Sequence, residues 1–168
     1  MANNYTLFSE VISRLNEEER VWCESRLRRL EQILPNFDEN GLDEQGEHCA
    51  PEDESYLNSA GDLGFQWKLT SESNEHELWM YAEESCYLEH VALFVQEFLA
   101  RFRPNEYFTL TWAETCSKPR ISEFSGGAIF VTAENIEWHG ATAWICRKVA
   151  EFTQQGKLVE SSYVADQN

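Results

Sequence analysis

The sequence predicts an α+β protein in which a mainly antiparallel sheet of four to five strands packs against helices and follows an N-terminal helical pair. Strand-like alternation occurs in two consecutive groups, an amphipathic helical stripe follows each group, and two further helical stretches precede them. At 168 residues, of which 42% are hydrophobic and 13% aromatic, the chain has the size of one ordinary domain. We therefore expect one structural domain built from residues 1–35, 36–62, 63–156 and a tail over 157–168.

The first 35 residues are expected to form the helical pair. Apolar side chains from Thr6 to Leu15 recur three and four residues apart, which is typical of a short amphipathic helix. Asn16 followed by Glu17, Glu18 and Glu19 has the spacing of a capping box and predicts the start of a second helix. Pro35 predicts its end, because proline cannot continue a helix.

Residues 36–62 are predicted to be an acidic loop or linker. They contain nine Asp and Glu side chains and no Lys or Arg. Like charges repel, and no apolar periodicity is present, so a regular element is not expected. A loop of this length in a compact domain is either functional or disordered, and the sequence leaves both interpretations open.

Residues 63–156 are expected to form the α+β core. Alternation in Phe65–Thr70 and in His76–Glu83 predicts an antiparallel hairpin. A long apolar stripe that begins after Ser85, a plausible N-cap, and ends before Pro104 predicts the main helix. Further strands are predicted near 107–112, 128–133 and 136–138, and a final helix from about 140 to 156.

The chain is strongly acidic. Its 13 Lys and Arg against 30 Asp and Glu give a formal net charge of -17. A field of this sign repels nucleic-acid phosphate and anionic lipid, so we expect no direct nucleic-acid binding and a protein partner with a basic surface. Two interpretations stay open: a protein from a host whose proteins are generally acidic, and a nucleic-acid mimic whose carboxylates replace phosphates.

The cysteine count and the absence of targeting signals suggest the compartment. Five cysteines are an odd number and are scattered, which favours reduced thiols over a disulfide framework. The N-terminus lacks a basic and apolar leader, and no apolar run is long enough to span a membrane. We expect a cytoplasmic protein that has no membrane contact and requires no cofactor.

About half of the chain, Leu78–Trp138, resembles a family of uncharacterised proteins found in bacteria and on phages and plasmids. The resemblance lies in the runs LWMYAEES, HVALFVQEFLARFRP and LTWAETCSKPRISEFSGGAIFVTAENIEW. Ser125 stands where the family has the first glycine of a triplet. The resemblance implies an intracellular domain from a mobile element and no particular chemistry.

The Cys-Ser-Lys-Pro-Arg loop is the first candidate for chemistry. Lys118 and Arg120 would favour the Cys116 thiolate, and with the Gly126-Gly127 backbone they could bind an anion. The Cys-x-x-x-Arg spacing differs from that of phosphatases, and no histidine follows to form a dyad. The alternative interpretation, which we favour, is an ordered turn followed by a bulge or a tight entry into the next strand.

Two further groups of residues are candidates for binding. Cys86 and His90 lie one helical turn apart and could join His48 and Cys49 in a zinc site, although ordinary packing explains them better. The carboxylates that cluster where a strand meets a helix are Glu83, Glu84 and Glu89, and they could bind cations or complement the helix dipole. Trp79 and Trp112 are the candidate aromatic contacts of a binding surface.

These observations favour a non-enzymatic acidic protein that binds a macromolecular partner. Its sharper form is a mobile-element inhibitor that mimics nucleic-acid charge, with carboxylates from Asp38–Glu54 and Glu72–Glu89 as the charged face. The alternative is a small thiol-dependent enzyme or anion-binding protein that uses the Cys116–Arg120 loop.

Overall fold

A computed structural model describes residues 3–38, 40–58, 60–72, 75–118, 120 and 123–154. The regular elements are β1 (Asn4–Leu15), α1 (Glu17–Ile33), β2 (Gln66–Glu72), β3 (Glu75–Ala82), α2 (Leu88–Phe102), β4 (Tyr107–Cys116), β5 (Ser125–Thr132), β6 (Ile136–Gly140) and α3 (Ala141–Gln154). The strands form one antiparallel sheet in the order β2-β3-β1-β4-β5-β6. The α+β class is confirmed, with six strands in the described chain instead of four to five.

The predicted helix over Thr6–Leu15 is wrong, and with it the N-terminal helical pair, because these residues belong to β1 at the centre of the sheet. Phe8 and Ile12 are buried on one face, and a spacing of four residues places side chains on one face of a strand as well as of a helix. The register shifts between Ile12 and Leu15, and Arg14 has a φ of 55° there. This bulge returns Leu15 to the buried face, so a strand reproduces the spacing of a helix.

The second predicted helix is confirmed as α1. The Asn16 side chain accepts a hydrogen bond from the Glu19 backbone N–H, and the Glu19 carboxylate accepts one from the Asn16 N–H, which completes the capping box. The main predicted helix is confirmed as α2, although its N-cap is Tyr87, which makes no side-chain cap bond, and not Ser85. Among the described residues, no helix combines the length and the apolar character needed to cross a bilayer.

The core lies between one face of the sheet and helices α1 and α2. Its largest fully buried side chains are Tyr56, Phe94, Phe98, Leu27, Leu30, Leu34, Leu78, Met80, Leu110, Ile129, Val91 and Val95. Trp22 of α1 stacks on Phe94 of α2 with ring centroids 5.6 Å apart. On the opposite face of the sheet, Trp79 stacks on Tyr81 at 4.1 Å.

The acidic segment 36–62 is fastened to α1 and α2 by a buried guanidinium. Arg26 of α1 donates to both carboxylate oxygens of Glu97 at 2.7 and 2.9 Å, pairs with Asp53, and donates to the Glu52 carbonyl oxygen at 2.9 Å. Asp53 is only 1% exposed and also accepts from Arg29 at 2.6 Å. The buried Tyr56 donates to Glu97 at 3.0 Å, so loop and helices share one network.

Asp53 is ionised in this network. Burial alone would raise the pKa of its carboxyl, but the hydrogen bonds from Arg29 and Arg26 outweigh that cost and lower the pKa below its usual value. The network therefore places two guanidinium groups around one buried carboxylate, and the acidic segment is docked rather than extended as a linker.

Two turns of the same design shape the segment before Asp53. The Asp38 carboxylate accepts from the N–H groups of Asn40 and Leu42, and Asp43 accepts in the same way from Gln45 and Glu47. The fourth residue of each turn is a glycine, Gly41 and Gly46, with a φ of 77° and 80°. Local hydrogen bonds to aspartate thus help to set the path of this loop.

We expect Asp53→Ala to lower the free energy of unfolding by about 3 kcal/mol, because it leaves the buried Arg26 guanidinium short of a carboxylate, whereas the half-exposed Arg29 can turn to water. The matched control is Glu52→Ala, whose side chain is 63% exposed and should change stability by less than about 0.5 kcal/mol. Urea unfolding followed by circular dichroism measures both. Equal losses in the two variants would contradict the anchoring role of Asp53.

Candidate functional site

A cleft of about 450 Å³ opens where the end of α1, the segment before β2 and the β3–α2 junction meet. We call it the acidic cleft. Its lining residues are Glu31, Pro35, Gly61, Asp62, Leu63, Gly64, Phe65, Gln66, Ala82, Glu83, Glu84 and Ser85. Four carboxylates thus surround a floor that includes apolar side chains.

Each side of the acidic cleft is positioned by a hydrogen bond. The Glu84 carbonyl oxygen accepts from the Thr6 N–H at 2.8 Å, which ties the β3–α2 junction to β1. The Glu31 carboxylate accepts from the Trp67 indole N–H at 2.8 Å, and Asn58 donates to the Asp62 carbonyl oxygen at 2.8 Å. The segment, the helix and the junction are therefore all connected to the rest of the fold.

Gly64 allows the wall of the acidic cleft to approach α2 closely. Its φ is 74°, and a Cβ at this position would overlap the Tyr87 side chain. The Tyr87 N–H donates to the Gly64 carbonyl oxygen at 3.3 Å. A larger residue would separate the segment before β2 from the start of α2, so the shape of the cleft depends on this glycine.

The four cleft carboxylates lack a basic partner among the described residues. In the described ranges of the chain, none of them forms an ion pair with Lys or Arg. The arginines of α1 and the one after α2 are instead paired with other carboxylates: Arg20, Arg26, Arg28, Arg29 and Arg103. A partner's Lys or Arg could lay its aliphatic stem on the apolar floor and its charge against the carboxylates.

The structure brings Glu83 and Glu84 into the acidic cleft and leaves Glu89 outside its lining, exposed in the first turn of α2. Sequence reasoning missed Glu31 and Asp62. No sequence signal links them to the other two, since they reach the cleft from α1 and from the end of the acidic segment.

The four candidate metal ligands are not assembled into a site. His90 is buried, with its Nδ1 2.9 Å from the Leu63 carbonyl oxygen and its ring 5.4 Å from that of Tyr56. Burial raises the pKa of the Cys86 thiol to about 12. Among the described residues, which include Cys49 and His48, no group of three or more His, Cys, Asp or Glu side chains is placed to hold a metal ion.

The Cys116 loop contacts Asn3, and its Arg120 lies near the carboxylate of Glu123. Cys116 ends β4 opposite Asn4, and the Ser117 N–H donates to the Asn3 carbonyl oxygen at 2.9 Å. The exposed Arg120 lies 3.5 Å from the Glu123 carboxylate, and Lys118 is exposed. Arg120 is therefore near a carboxylate of its own chain. Pro119, Ile121 and Ser122 lie outside the described residues, so the ordered turn stays a prediction.

The Gly126-Gly127 pair lies within β5 and serves close packing between strands. Gly126 has a φ of 154°, and a Cβ there would overlap the Trp112 carbonyl oxygen. A Cβ on Gly127 would overlap both the His139 carbonyl oxygen and the Trp112 indole, which packs edge-on to Trp138 at 6.1 Å. The glycines are thus required by the packing of an aromatic ring, which accounts for them without an anion.

Trp79 lies on the sheet face opposite α1 and α2. Its indole N–H donates to the Ser9 hydroxyl at 2.9 Å, and its ring stacks on Tyr81. Trp112 is on the helix-covered face, since it shares the face of the buried Leu110. The two tryptophans therefore belong to different surfaces.

Comparisons with protein-family models, with curated proteins and with solved structures gave no significant match. The resemblance of Leu78–Trp138 to phage and plasmid proteins therefore stays a prediction.

We expect the free energy of unfolding to fall between about pH 7.5 and about pH 5.5 because of His90. Burial lowers the pKa of His90 and outweighs the Leu63 hydrogen bond and the nearby Glu89 and Asp62, which favour the charged form. The unfolded chain therefore takes up a proton near pH 6.5 that the folded chain does not, and the free energy of unfolding falls until the pH passes below the lowered value.

Urea titrations of the wild type and of His90→Gln at about pH 7.5 and about pH 5.5 measure this effect. The variant should lose less stability between the two pH values than the wild type, whereas the exposed His48→Gln should behave like the wild type. An unchanged pH dependence in His90→Gln would show that His90 is not the responsible group.

We expect Gly127→Ala to destabilise the fold by about 2 kcal/mol or more, because the added methyl group overlaps a strand backbone and an indole ring. The control is Gly140→Ala, where a Cβ has no neighbour within 4 Å. Thermal unfolding of both variants tests this. If Gly127→Ala is no less stable than Gly140→Ala, the packing role of Gly127 is wrong.

Proposed function

We propose that this protein binds the basic surface of another protein, and that its acidic cleft receives a Lys or Arg side chain. The observation that carries the proposal is the cleft itself: carboxylates from α1, the segment before β2 and the β3–α2 junction converge on a partly apolar floor. A buried or half-buried cation needs this combination of charge and apolar contact.

The charge of the whole chain supports the same proposal. Residues 1–106 contain 23 Asp and Glu against 8 Lys and Arg, whereas residues 107–168 contain 7 against 5. The acidic cleft belongs to the first part, so its field attracts a basic partner over distances well beyond contact. Electrostatic steering of this kind raises association rates at low salt and selects a partner whose surface charge is positive.

The sharper form of the proposal is that the carboxylates imitate the phosphates of a nucleic acid. The partner would then be a nucleic-acid-binding protein, and the resemblance to mobile-element proteins would make this chain its inhibitor. Competition distinguishes the two forms: DNA should displace the protein from such a partner, and should not displace it from a basic protein that binds no nucleic acid.

We expect the double variant Glu83→Gln and Glu84→Gln to bind a lysine-rich octapeptide at least about fivefold more weakly than the wild type, which is about 1 kcal/mol. The matched control is Glu134→Gln with Glu137→Gln, which removes the same number of charges from exposed sites outside the cleft. Fluorescence anisotropy of the labelled peptide measures both affinities.

The affinity of the control variant for the peptide should fall by less than about twofold, because screening by salt limits the effect of distant charges. Affinity of the wild type should fall steeply between about 0.05 and about 0.5 M salt. Equal losses in the two double variants would show that net charge, and not the acidic cleft, binds the peptide. Binding that is independent of salt, or that is lost only on Trp79→Ala or Trp112→Ala, would contradict electrostatic capture.

A further inference from the structure

The last helix carries an apolar stripe that the described residues leave uncovered. Every α3 side chain from Ala141 to Thr153 is exposed. Trp144, Ile145 and Val149 are 43%, 54% and 60% exposed, and at about 100° per residue they share one side of the helix. Large apolar side chains in one contiguous stripe mark a surface that another molecule covers.

The stability of α3 requires such a cover. A helix of 14 residues is marginal in water unless its apolar side is packed. At its first turn, the Thr142 hydroxyl forms a hydrogen bond with the Ser125 hydroxyl of β5 at 2.8 Å. That contact fixes where α3 begins but does not bury the stripe.

The neighbouring strand, β6, also has unpaired backbone groups and exposed apolar surface. In the sheet of the described residues β6 is an edge, so one row of its backbone groups is available for pairing there, and its Trp138 is 45% exposed. The opposite edge, β2, carries Lys68 and pairs with β3, which has carboxylates at Glu75 and Glu77. By contrast, β6 carries only Glu137 and pairs with β5, which has no charged residue. Charge therefore protects the β2 edge from pairing more than the β6 edge.

The distribution of charge selects the occupant. Between residues 107 and 154 five carboxylates are balanced by four Lys and Arg, although the whole chain has a net charge of -17. Two copies of so acidic a chain repel each other through most of their surface. The end formed by β6 and α3 is where two copies can approach with little repulsion.

We propose that a second copy of this chain covers α3. The two copies meet about a two-fold axis, with the stripe of Trp144, Ile145 and Val149 against its equivalent and the β6 edges side by side. Such an interface is self-complementary because each copy contributes the same surface. A stable dimer buries roughly 800 Å² per partner. The stripe of α3 alone is too small to bury this area, but the stripe and the β6 edge together can bury it.

Sedimentation velocity over a range of protein concentrations tests the proposal. The wild type should sediment as a species of twice 19.6 kDa. Ile145→Asp and Val149→Asp should each raise the dissociation constant at least about tenfold, since a carboxylate in the stripe must be desolvated. The matched control is Ala150→Asp, which adds the same charge on the opposite side of α3 and should keep the wild-type mass.

The sign of the salt effect separates this proposal from the proposed function. Salt screens the repulsion between two acidic chains, so self-association should strengthen between about 0.05 and about 0.5 M salt, whereas peptide binding in the acidic cleft should weaken. The proposal is wrong if the wild type stays monomeric at every protein and salt concentration tested. It is also wrong if Ala150→Asp weakens the association as strongly as Ile145→Asp does. Circular dichroism of each variant establishes that a monomeric variant is folded.

Discussion

The buried guanidinium of Arg26 is the group on which the arrangement of loop and helices depends. A charge that is 8% exposed is stable only if its hydrogen-bond donors are satisfied, and here Asp53, Glu97 and the Glu52 carbonyl oxygen satisfy them. One side chain of α1 thereby joins the acidic segment to α2. Since the same segment continues into Gly61–Phe65, the wall of the acidic cleft lies where this network places it.

Most of the fold could be predicted because most of its signals are local. The capping box at Asn16 and the apolar stripe of α2 each lie within a few turns of one helix, and the alternation in β2 lies within one strand. The β1 strand was mistaken for a helix because Phe8, Ile12 and Leu15 have helical spacing, and only the pairing with β3 shows that a bulge produces it. Strand order could not be predicted, since it depends on partners distant in sequence.

The candidate site was predicted only in part. Adjacent carboxylates at Glu83 and Glu84 are visible in the sequence, but Glu31 and Asp62 join them only through the fold. The Gly126-Gly127 pair was visible too, and its hypothetical role in anion binding overlooked the space that the Trp112 ring requires. A glycine pair in a sequence indicates that another group lies close to the backbone there, but it does not identify that group.

The central position of β1 has a consequence for the order in which the chain can fold. β1 is synthesised before the other five strands, yet its partners are distant: Phe8 pairs with Ala82, and Asn4 with Cys116. The hairpin β2-β3 and the meander β4-β5-β6 can each form from local contacts, but only β1 joins them into one sheet. β1 must therefore stay unpaired until β3 at residues 75–82 has been made, and a chain in which β1 does not pair would form two small sheets with open edges instead of one domain.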